Sequence, residues 1–165
     1  MNYVALNFLK VEQMRILLIS DFIDVKRVKI LEADNKNDAL NEMIELISSS
    51  ENIKNISAFK KAIIKRESLM STGIGLGIAI PHAKIPECED FVIAIGKLKN
   101  GIDYDSLDNK PVNLIFMIGA SDTQDKEYIR LLSRLVLRLK DDSILKQLVK
   151  AKSEAEILSI ITASR

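Results

Sequence analysis

The sequence predicts an α/β fold: a single domain with a mixed parallel and antiparallel sheet of four to five strands and helices on both faces. Segments with apolar residues at helical spacing alternate with apolar, β-branched runs that are typical of strands covered on both faces. The order is helices, then strands, then helices, so a purely parallel, doubly wound sheet is not expected. With 165 residues, the chain is long enough to bury one continuous core.

Two amphipathic helices are predicted ahead of the main strands, over residues 37–49 and 55–67. Asn37 and Asp38 stand at the start of the first helix, where short polar side chains act as caps. Each segment repeats apolar residues along one helix face, which indicates that both helices pack on a core. These residues are Ala39, Leu40, Met43, Ile44 and Ile47 in the first helix and Ile56, Phe59, Ala62 and Ile63 in the second.

Three stretches that follow are predicted to be strands. IGLGIAI, residues 74–80, changes to a short period and indicates a strand interrupted by glycine. FVIAIGKL (91–98) and VNLIFMIG (112–119) are apolar at both odd and even positions, as expected of strands covered on both faces. The connection at residues 99–111 contains an Asn-Gly pair and a proline, so it is predicted to be rich in turns.

Three more helices are predicted toward the end of the chain, over residues 125–140, 141–151 and 153–164. The last begins with a capping box, in which Ser153 is followed three positions later by Glu156. Residues 1–13 are predicted to be an N-terminal extension, and residues 14–165 the domain itself.

Composition and charge exclude several classes of protein. Lys and Arg number 24 against 23 Asp and Glu, and this balance does not favour a nucleic-acid binder. The apolar runs are too short to cross a bilayer, and the first residues do not resemble a signal peptide. Cys88 is the single cysteine, so neither a disulfide framework nor a cysteine metal cluster is expected. We therefore expect a cytoplasmic protein that does not insert directly into the membrane.

The only histidine, His82, lies in STGIGLGIAIPHAK, residues 71–84. Glycines at 73, 75 and 77 allow another backbone or a phosphate to approach closely, and free N–H groups in such turns can bind anions. Pro81 stiffens the main chain that leads to His82, which suggests that the imidazole is aimed at something. The alternative is a bulged strand and a histidine without chemistry.

Several reaction types require residues that this sequence lacks. A zinc site usually needs three or four ligands, and there is no second histidine, so no metal or other cofactor is expected. Ser71, Ser106 and Ser121 are available to a hydrolase, but none sits in a G-x-S-x-G elbow. Neither the G-x-G-x-x-G dinucleotide fingerprint nor the phosphate-binding P-loop is present. His82 as a nucleophile that carries a phosphoryl group fits best.

RESLMSTGIGLGIAIPHAK, residues 66–84, resembles the active-site signature of enzyme IIA components of the bacterial phosphoenolpyruvate-dependent phosphotransferase system. The likeness is to the type 2 IIA domains of the fructose, mannitol and nitrogen-regulatory branch. It runs from about residue 16 to residue 161 and includes DALNEMIELI, LDNKPVNLIFMIGAS and SRLVLRLKDDSILKQL. The similarity to the nitrogen-regulatory type is closest in STGIG, GIAIPH and DNKPVNL.

The resemblance implies that His82 accepts a phosphoryl group from the histidine-containing phosphocarrier protein. It implies that the group then passes to a IIB partner for sugar uptake; the alternative is a regulatory IIA protein whose phosphorylation state controls binding to a target. A third hypothesis is a degenerate relative that no longer accepts phosphate. Arg66 would supply positive charge to the phosphoryl oxygens, or merely end its helix favourably. Glu67 would hold Arg66, or be a solvated surface charge.

The resemblance further implies that Thr72 and the backbone of Gly73, Gly75 and Gly77 line the phosphate pocket, unless they only shape a turn. One position departs from the family. Many relatives carry a second histidine, in a His-Leu pair, where this chain has Tyr128 and Ile129. A phenol can donate a hydrogen bond to phosphate or imidazole but cannot carry positive charge.

Overall fold

A six-stranded mixed sheet carries helices on both faces in the computed structural model, which describes residues 18–163. The α/β class and the single-domain architecture are thus confirmed. The N-terminal extension predicted at residues 1–13 lies outside the described residues. After a 3-10 turn at Ile19–Phe22, the elements are β1 (Ile23–Leu31), α1 (Lys36–Ile47), α2 (Ile56–Leu69), β2 (Gly73–Gly75), β3 (Ile78–Ala79), β4 (His82–Lys84), β5 (Val92–Ile102), β6 (Val112–Ala120), α3 (Asp125–Leu139), α4 (Asp142–Lys150) and α5 (Glu154–Thr162).

The strands lie in the order β1-β5-β6-β3-β2, and β4 also pairs with β6. β1 runs parallel to β5, β5 antiparallel to β6, and both β3 and β4 parallel to β6. The sheet has more strands than the predicted four to five because the 74–80 stretch folds back on itself as β2 and β3. β1 was not among the predicted strands, since its exposed and half-buried positions carry charges that weaken an apolar pattern.

β3 and β4 behave as one strand that continues through Ile80 and Pro81. Both pair with β6 at a constant offset, from Ile78 opposite Leu114 to Lys84 opposite Ala120. The ladder persists across the proline because the Ile118 N–H donates to the Pro81 carbonyl over 3.0 Å. His82 is therefore fixed on a strand whose backbone is tied to the central β6.

Two apolar layers cover the sheet, one on each face, as the alternation of helices and strands predicts. One layer lies under α1 and α2 and the other under α3, α4 and α5. The buried side chains include Met43, Ile47, Phe59 and Ile63 in the first layer and Leu131, Leu135, Leu148 and Ile157 in the second.

Polar side chains cap four of the five described helices. α1 begins one residue earlier than predicted, because the cap is Asn35, whose side chain accepts from the Asp38 N–H over 2.9 Å. Ser153 accepts from the Glu156 N–H over 3.2 Å at the start of α5, as predicted. The return bond of this capping box goes to the Lys152 N–H rather than to that of Ser153. No helix within residues 18–163 has the length and apolar character needed to cross a membrane.

Candidate active site

The two ring nitrogens of His82 differ: one is hydrogen-bonded to the main chain, and the other bears an unprotonated lone pair. Its Nδ1 lies 2.8 Å from the carbonyl oxygen of Ile80. A carbonyl can only accept, so Nδ1 carries the proton, and Nε2 of the neutral ring is unprotonated and bears a lone pair. The acceptor is the carbonyl two residues upstream, just before the proline. The local chain itself therefore sets the tautomer.

Burial lowers the pKa of His82 below its ordinary value of 6.5, and the positive charge of Arg66 lowers it further. The hydrogen bond to the Ile80 carbonyl acts in the opposite direction, because it favours the protonated ring. The net effect keeps the imidazole neutral near pH 7. A neutral ring with Nε2 unprotonated is the form that attacks an electrophile.

Arg66 connects the end of α2 to His82. Its Nε donates to His82 Nε2 over 3.3 Å, and its Nη1 donates to the Met70 carbonyl over 2.8 Å. The second bond fixes the guanidinium at the C-terminal end of the helix. Arg66 thus satisfies a helix-end carbonyl and faces the imidazole at once.

A surface cleft of about 330 Å³ opens beside the imidazole. Its lining contains three cationic side chains and no carboxylate, so its charge suits an anion. Lys84 is also paired with Asp125 at the exposed rim. The lining residues are Ala62, Lys65, Arg66, Leu69, His82, Ala83, Lys84 and Tyr128.

Tyr128 packs against His82 from α3, with ring centroids 5.9 Å apart. Its hydroxyl is buried and has no hydrogen-bond partner within the described part of the chain, so it does not bond the imidazole. Burial raises the pKa of Tyr128, and the phenol stays protonated. An unpaired buried O–H is costly, and the described residues leave this donor unsatisfied.

A lone nucleophilic histidine in a cationic cleft suits phosphoryl transfer, and comparison with known proteins agrees. Residues 21–164 match the family model described as "Phosphoenolpyruvate-dependent sugar phosphotransferase system, EIIA 2". The chain belongs to this family. Members of the EIIA 2 family are phosphotransferases that carry the phosphoryl group on a histidine.

Relatives of this EIIA 2 chain carry both sugar-transport and regulatory names. It is 40% identical over 144 residues to the "PTS system fructose-specific EIIABC component" of Bacillus subtilis, which is 87% of this chain and 23% of that protein. It is 38% identical over 131 residues to the "Nitrogen regulatory protein" of Klebsiella oxytoca, which is 78% of this chain and 79% of that protein. The chain thus spans less than a quarter of its fructose-specific relative.

Solved structures agree with the fold. The nitrogen regulatory protein IIA-Ntr of Neisseria meningitidis superposes with a TM-score of 0.81 at 26% identity, covering 87% of this chain and 99% of that one. The Escherichia coli complex of IIA-mannitol and phosphorylated IIB-mannitol gives a TM-score of 0.73 at 19% identity, covering 84% and 96%. At that identity the second likeness concerns the fold alone.

Glu67 has neither of the two roles expected of it, a contact with Arg66 or a solvated position on the surface. Its bonds go to Thr72 and Lys36 rather than to Arg66, so it does not hold Arg66 directly. It is also only 8% exposed, so it is not a solvated surface charge. The helix turns Glu67 inward, about 100° around from Arg66.

Thr72 and the three glycines lie outside the cleft lining. Thr72 is buried, and its hydroxyl donates to Glu67. The glycines pack instead against the connection between β5 and β6 and against the start of β6: Gly73 against Ser106, Gly75 against Asp108 and Gly77 against Asn113. Gly75 and Gly77 have φ of 96° and 75°, which glycine adopts most readily, so they serve the tight turn between β2 and β3.

Several residues near the site escaped the sequence analysis. The Ile80 carbonyl is a main-chain atom and leaves no trace in residue identity. Lys84, which the sequence predicts to be a solvated residue, lines the cleft instead, because it follows His82 by two positions on one strand and both side chains share a face. Lys36 reaches Glu67, and Tyr104 reaches Thr72, from distant parts of the chain, and no local spacing signals such contacts.

Proposed function

We propose that this chain is a phosphoryl carrier in which His82 Nε2 attacks the phosphohistidine of the histidine-containing phosphocarrier protein. A nitrogen–phosphorus bond forms at Nε2 while the donor's nitrogen–phosphorus bond breaks, and the donor imidazole leaves with its electron pair. The observation that carries the proposal is the Nδ1 bond to Ile80, which leaves Nε2 as the nucleophile at a cationic cleft. Nδ1 keeps its proton throughout, so the phosphorylated ring is positively charged.

Arg66 must change partners during this step. At rest its Nε donates to the lone pair that attacks, so it has to move onto the incoming phosphoryl oxygens. Transfer spreads negative charge over these oxygens, and a guanidinium can hold two of them at once. The unpaired hydroxyl of Tyr128, a residue that lines the cleft, would add a neutral donor. The main chain that leads to His82 is shaped by four residues outside the cleft lining, Thr72, Gly73, Gly75 and Gly77.

The Ile80 carbonyl serves the product as well as the nucleophile. It accepts from Nδ1–H and therefore stabilises positive charge on the ring. A ring phosphorylated at Nε2 with its Nδ1 proton retained bears such a charge. The same bond that selects the attacking nitrogen thus supports the phosphorylated state until the group moves on.

We further propose that a IIB component of a sugar permease is the acceptor. This is supported by the 40% identity to a protein named as a fructose-specific EIIABC component, and by a similar fold in a complex with a phosphorylated IIB. The second candidate is a regulatory target, since the nitrogen regulatory relative matches along 79% of its own length. The intact site disfavours the degenerate hypothesis. Residues 14–165 would form the IIA domain and act in the cytoplasm.

The test is the intact mass of the protein after incubation with phosphoenolpyruvate, enzyme I and the phosphocarrier protein. We expect a single acid-labile phosphoryl group on the parent and none on His82→Ala; Ser71→Ala, a conservative change in the same signature, should behave as the parent. No gain with an active donor pair would overturn the proposal. Adding a cognate IIB then separates the two acceptors, because transfer to it supports sugar uptake and failure favours a regulatory target.

A further inference from the structure

A buried polar cluster lies beside the cleft and belongs to none of the roles assigned so far. It consists of Lys36, Glu67, Thr72 and Tyr104, and we call it the Glu67 cluster. Glu67 accepts from the Thr72 N–H over 3.0 Å and from the Thr72 hydroxyl over 2.5 Å. Lys36 Nζ lies 3.0 Å from the same carboxylate and 4.6 Å from the Tyr104 ring centroid. The Tyr104 and Thr72 hydroxyls are 3.2 Å apart.

Burying a charged cluster of this kind is costly in desolvation free energy. Glu67, Thr72 and Tyr104 are 8%, 3% and 0% exposed, so the carboxylate is removed from water. Buried ion pairs often contribute no more stability than apolar groups of the same shape. Every carboxylate oxygen is nonetheless satisfied, which fixes orientation more firmly than apolar contacts do. A cluster of this kind is suited to holding neighbouring groups in one geometry.

One chain of hydrogen bonds and one short stretch of main chain lead from Thr72 to the reacting residues. In one direction, the Ile80 N–H donates to the Thr72 carbonyl over 2.9 Å, and the Ile80 carbonyl accepts from His82 Nδ1. In the other, Met70 lies two residues before Thr72 in extended backbone, and its carbonyl holds Arg66 Nη1. Thr72 is therefore the common anchor of the nucleophile and of the guanidinium that faces it.

We propose that Lys36 and Glu67 are positioning residues that set the alignment of Arg66 with His82 through Thr72. Glu67 clamps Thr72 by its N–H and its hydroxyl, and Lys36 neutralises the buried carboxylate. Neither side chain lines the cleft, so neither touches the phosphoryl group. The inference rests on the proposed phosphoryl transfer, and its test separates the two.

The first test compares Lys36→Met and Glu67→Gln with Lys60→Met in steady-state phosphorylation by the phosphocarrier protein. Lys60 is an exposed lysine that shares a surface cleft with Lys36 but makes no bond to the cluster. Small displacements of reacting groups cost up to about 100-fold in rate, so we expect kcat to fall by about 10- to 100-fold in the first two variants. KM for the phosphorylated donor should not change, because the cleft surface stays intact, and Lys60→Met should match the parent.

The second test is a double-mutant cycle with Arg66→Ala. If the Glu67 cluster acts through Arg66, Glu67→Gln should slow transfer much less in the Arg66→Ala background than in the parent. A full, multiplicative effect in both backgrounds would overturn the proposal and leave Glu67 with a general structural role. Absence of any phosphorylation in the parent would instead overturn the proposed function.

A readout that does not depend on transfer is the Arg66 Nε–H signal in ¹⁵N NMR. This proton is held between Arg66 and His82 Nε2, so we expect it to exchange slowly in the parent and in Lys60→Met. It should broaden or disappear in Lys36→Met and Glu67→Gln, while the backbone spectrum away from residues 66–82 remains unchanged. An unaltered Arg66 signal in both variants would contradict the proposed positioning.

Discussion

Arg66 Nε lies 3.3 Å from His82 Nε2 and donates to it, so the attacking nitrogen already has a partner before any phosphoryl group arrives. The arginine therefore competes with the electrophile for one lone pair at rest and stabilises the phosphoryl oxygens afterwards. It also lowers the pKa of His82, which keeps that lone pair unprotonated. One side chain thus both protects the reactive form of the imidazole and must leave it for reaction to begin.

Replacing Arg66 by alanine should separate these two effects. Loss of the positive charge should raise the pKa of His82, because that charge lowers it. Loss of a donor to the transition state should slow phosphorylation by about 10²- to 10³-fold, the cost typical of such donors. The pKa is measured from the ¹H resonances of the only histidine. An unchanged or lower pKa in Arg66→Ala would show that the guanidinium does not act on the imidazole in solution.

The protein should lose stability as pH falls through the range where His82 titrates. Burial lowers the pKa of His82 in the folded chain below 6.5, so in that range the unfolded chain binds more protons. The free energy of unfolding is thus expected to be independent of this group above about pH 6.5 and to fall below it. Urea unfolding from about pH 5 to about pH 8 measures this. His82→Asn should have a flatter profile, and an equally steep one would argue against the lowered pKa.

The rate of phosphorylation by the donor should depend on the protonation state of His82. Only the unprotonated ring attacks, so the rate should be level near pH 7 and fall once pH drops below the folded-state pKa of His82. Rapid-quench measurements with the phosphorylated donor give this profile. In Arg66→Ala the fall should begin at higher pH, because the pKa of His82 is then higher. A profile that does not move would assign the pH dependence to the donor protein instead.

Tyr128→Phe should make the protein more stable and a poorer carrier. The Tyr128 hydroxyl is buried without a partner, so its removal should raise the free energy of unfolding by up to about 1–3 kcal/mol. The matched control is Tyr104→Phe, whose hydroxyl contacts Thr72 and whose loss should destabilise. Loss of the donor proposed for the phosphoryl oxygens should also slow phosphorylation or shorten the lifetime of the phosphohistidine. Destabilisation by Tyr128→Phe, equal to that of Tyr104→Phe, would mean that the hydroxyl is paired in solution.

Gly73→Ala should destabilise the start of β2, where Gly73 packs against Ser106. A Cβ at this position would lie 2.9 Å from the main-chain Cα of Ser106, which cannot yield as a side-chain end can. Overpacking of this kind costs about 1–3 kcal/mol, and the thermal midpoint should fall accordingly. Ile74→Ala, at the exposed neighbouring position, should change the midpoint far less. If the two variants melt alike, the close approach of Gly73 to Ser106 is not tight in solution.

How much of this molecule the sequence predicts depends on how far apart the interacting residues lie. The helices, the two covered strands and His82 follow from periodicity or from a local motif, and the structure has them close to where the pattern places them. The turn predicted at the Asn-Gly pair is wrong, because β5 continues through Asn100 and Gly101 to Ile102. β1 was missed because charged residues interrupt its apolar pattern. The ion pair between Lys36 and Glu67 joins residues far apart in the chain, and no local spacing in the sequence predicts it.

The glycines show a different limit of sequence reasoning. A stretch of alternate glycines suits both a phosphate cradle and a tight turn, since each needs backbone without side chains. In the structure Gly73, Gly75 and Gly77 face Ser106, Asp108 and Asn113 instead of the cleft. Sequence alone specifies that something approaches closely; which neighbour it is depends on the tertiary fold.

The unbroken register of β3 and β4 on β6 has a consequence for how partner proteins distinguish the loaded from the unloaded carrier. The main chain around His82 is secured to the middle of the sheet on both sides of Pro81, so adding a phosphoryl group has little scope to reshape it. A partner therefore meets nearly the same surface contour in both states, and only the local potential changes, by about one negative charge net, because the positive ring offsets part of the charge of the phosphoryl group. Discrimination between the two forms should then weaken as added salt screens that potential, although the contact area stays the same.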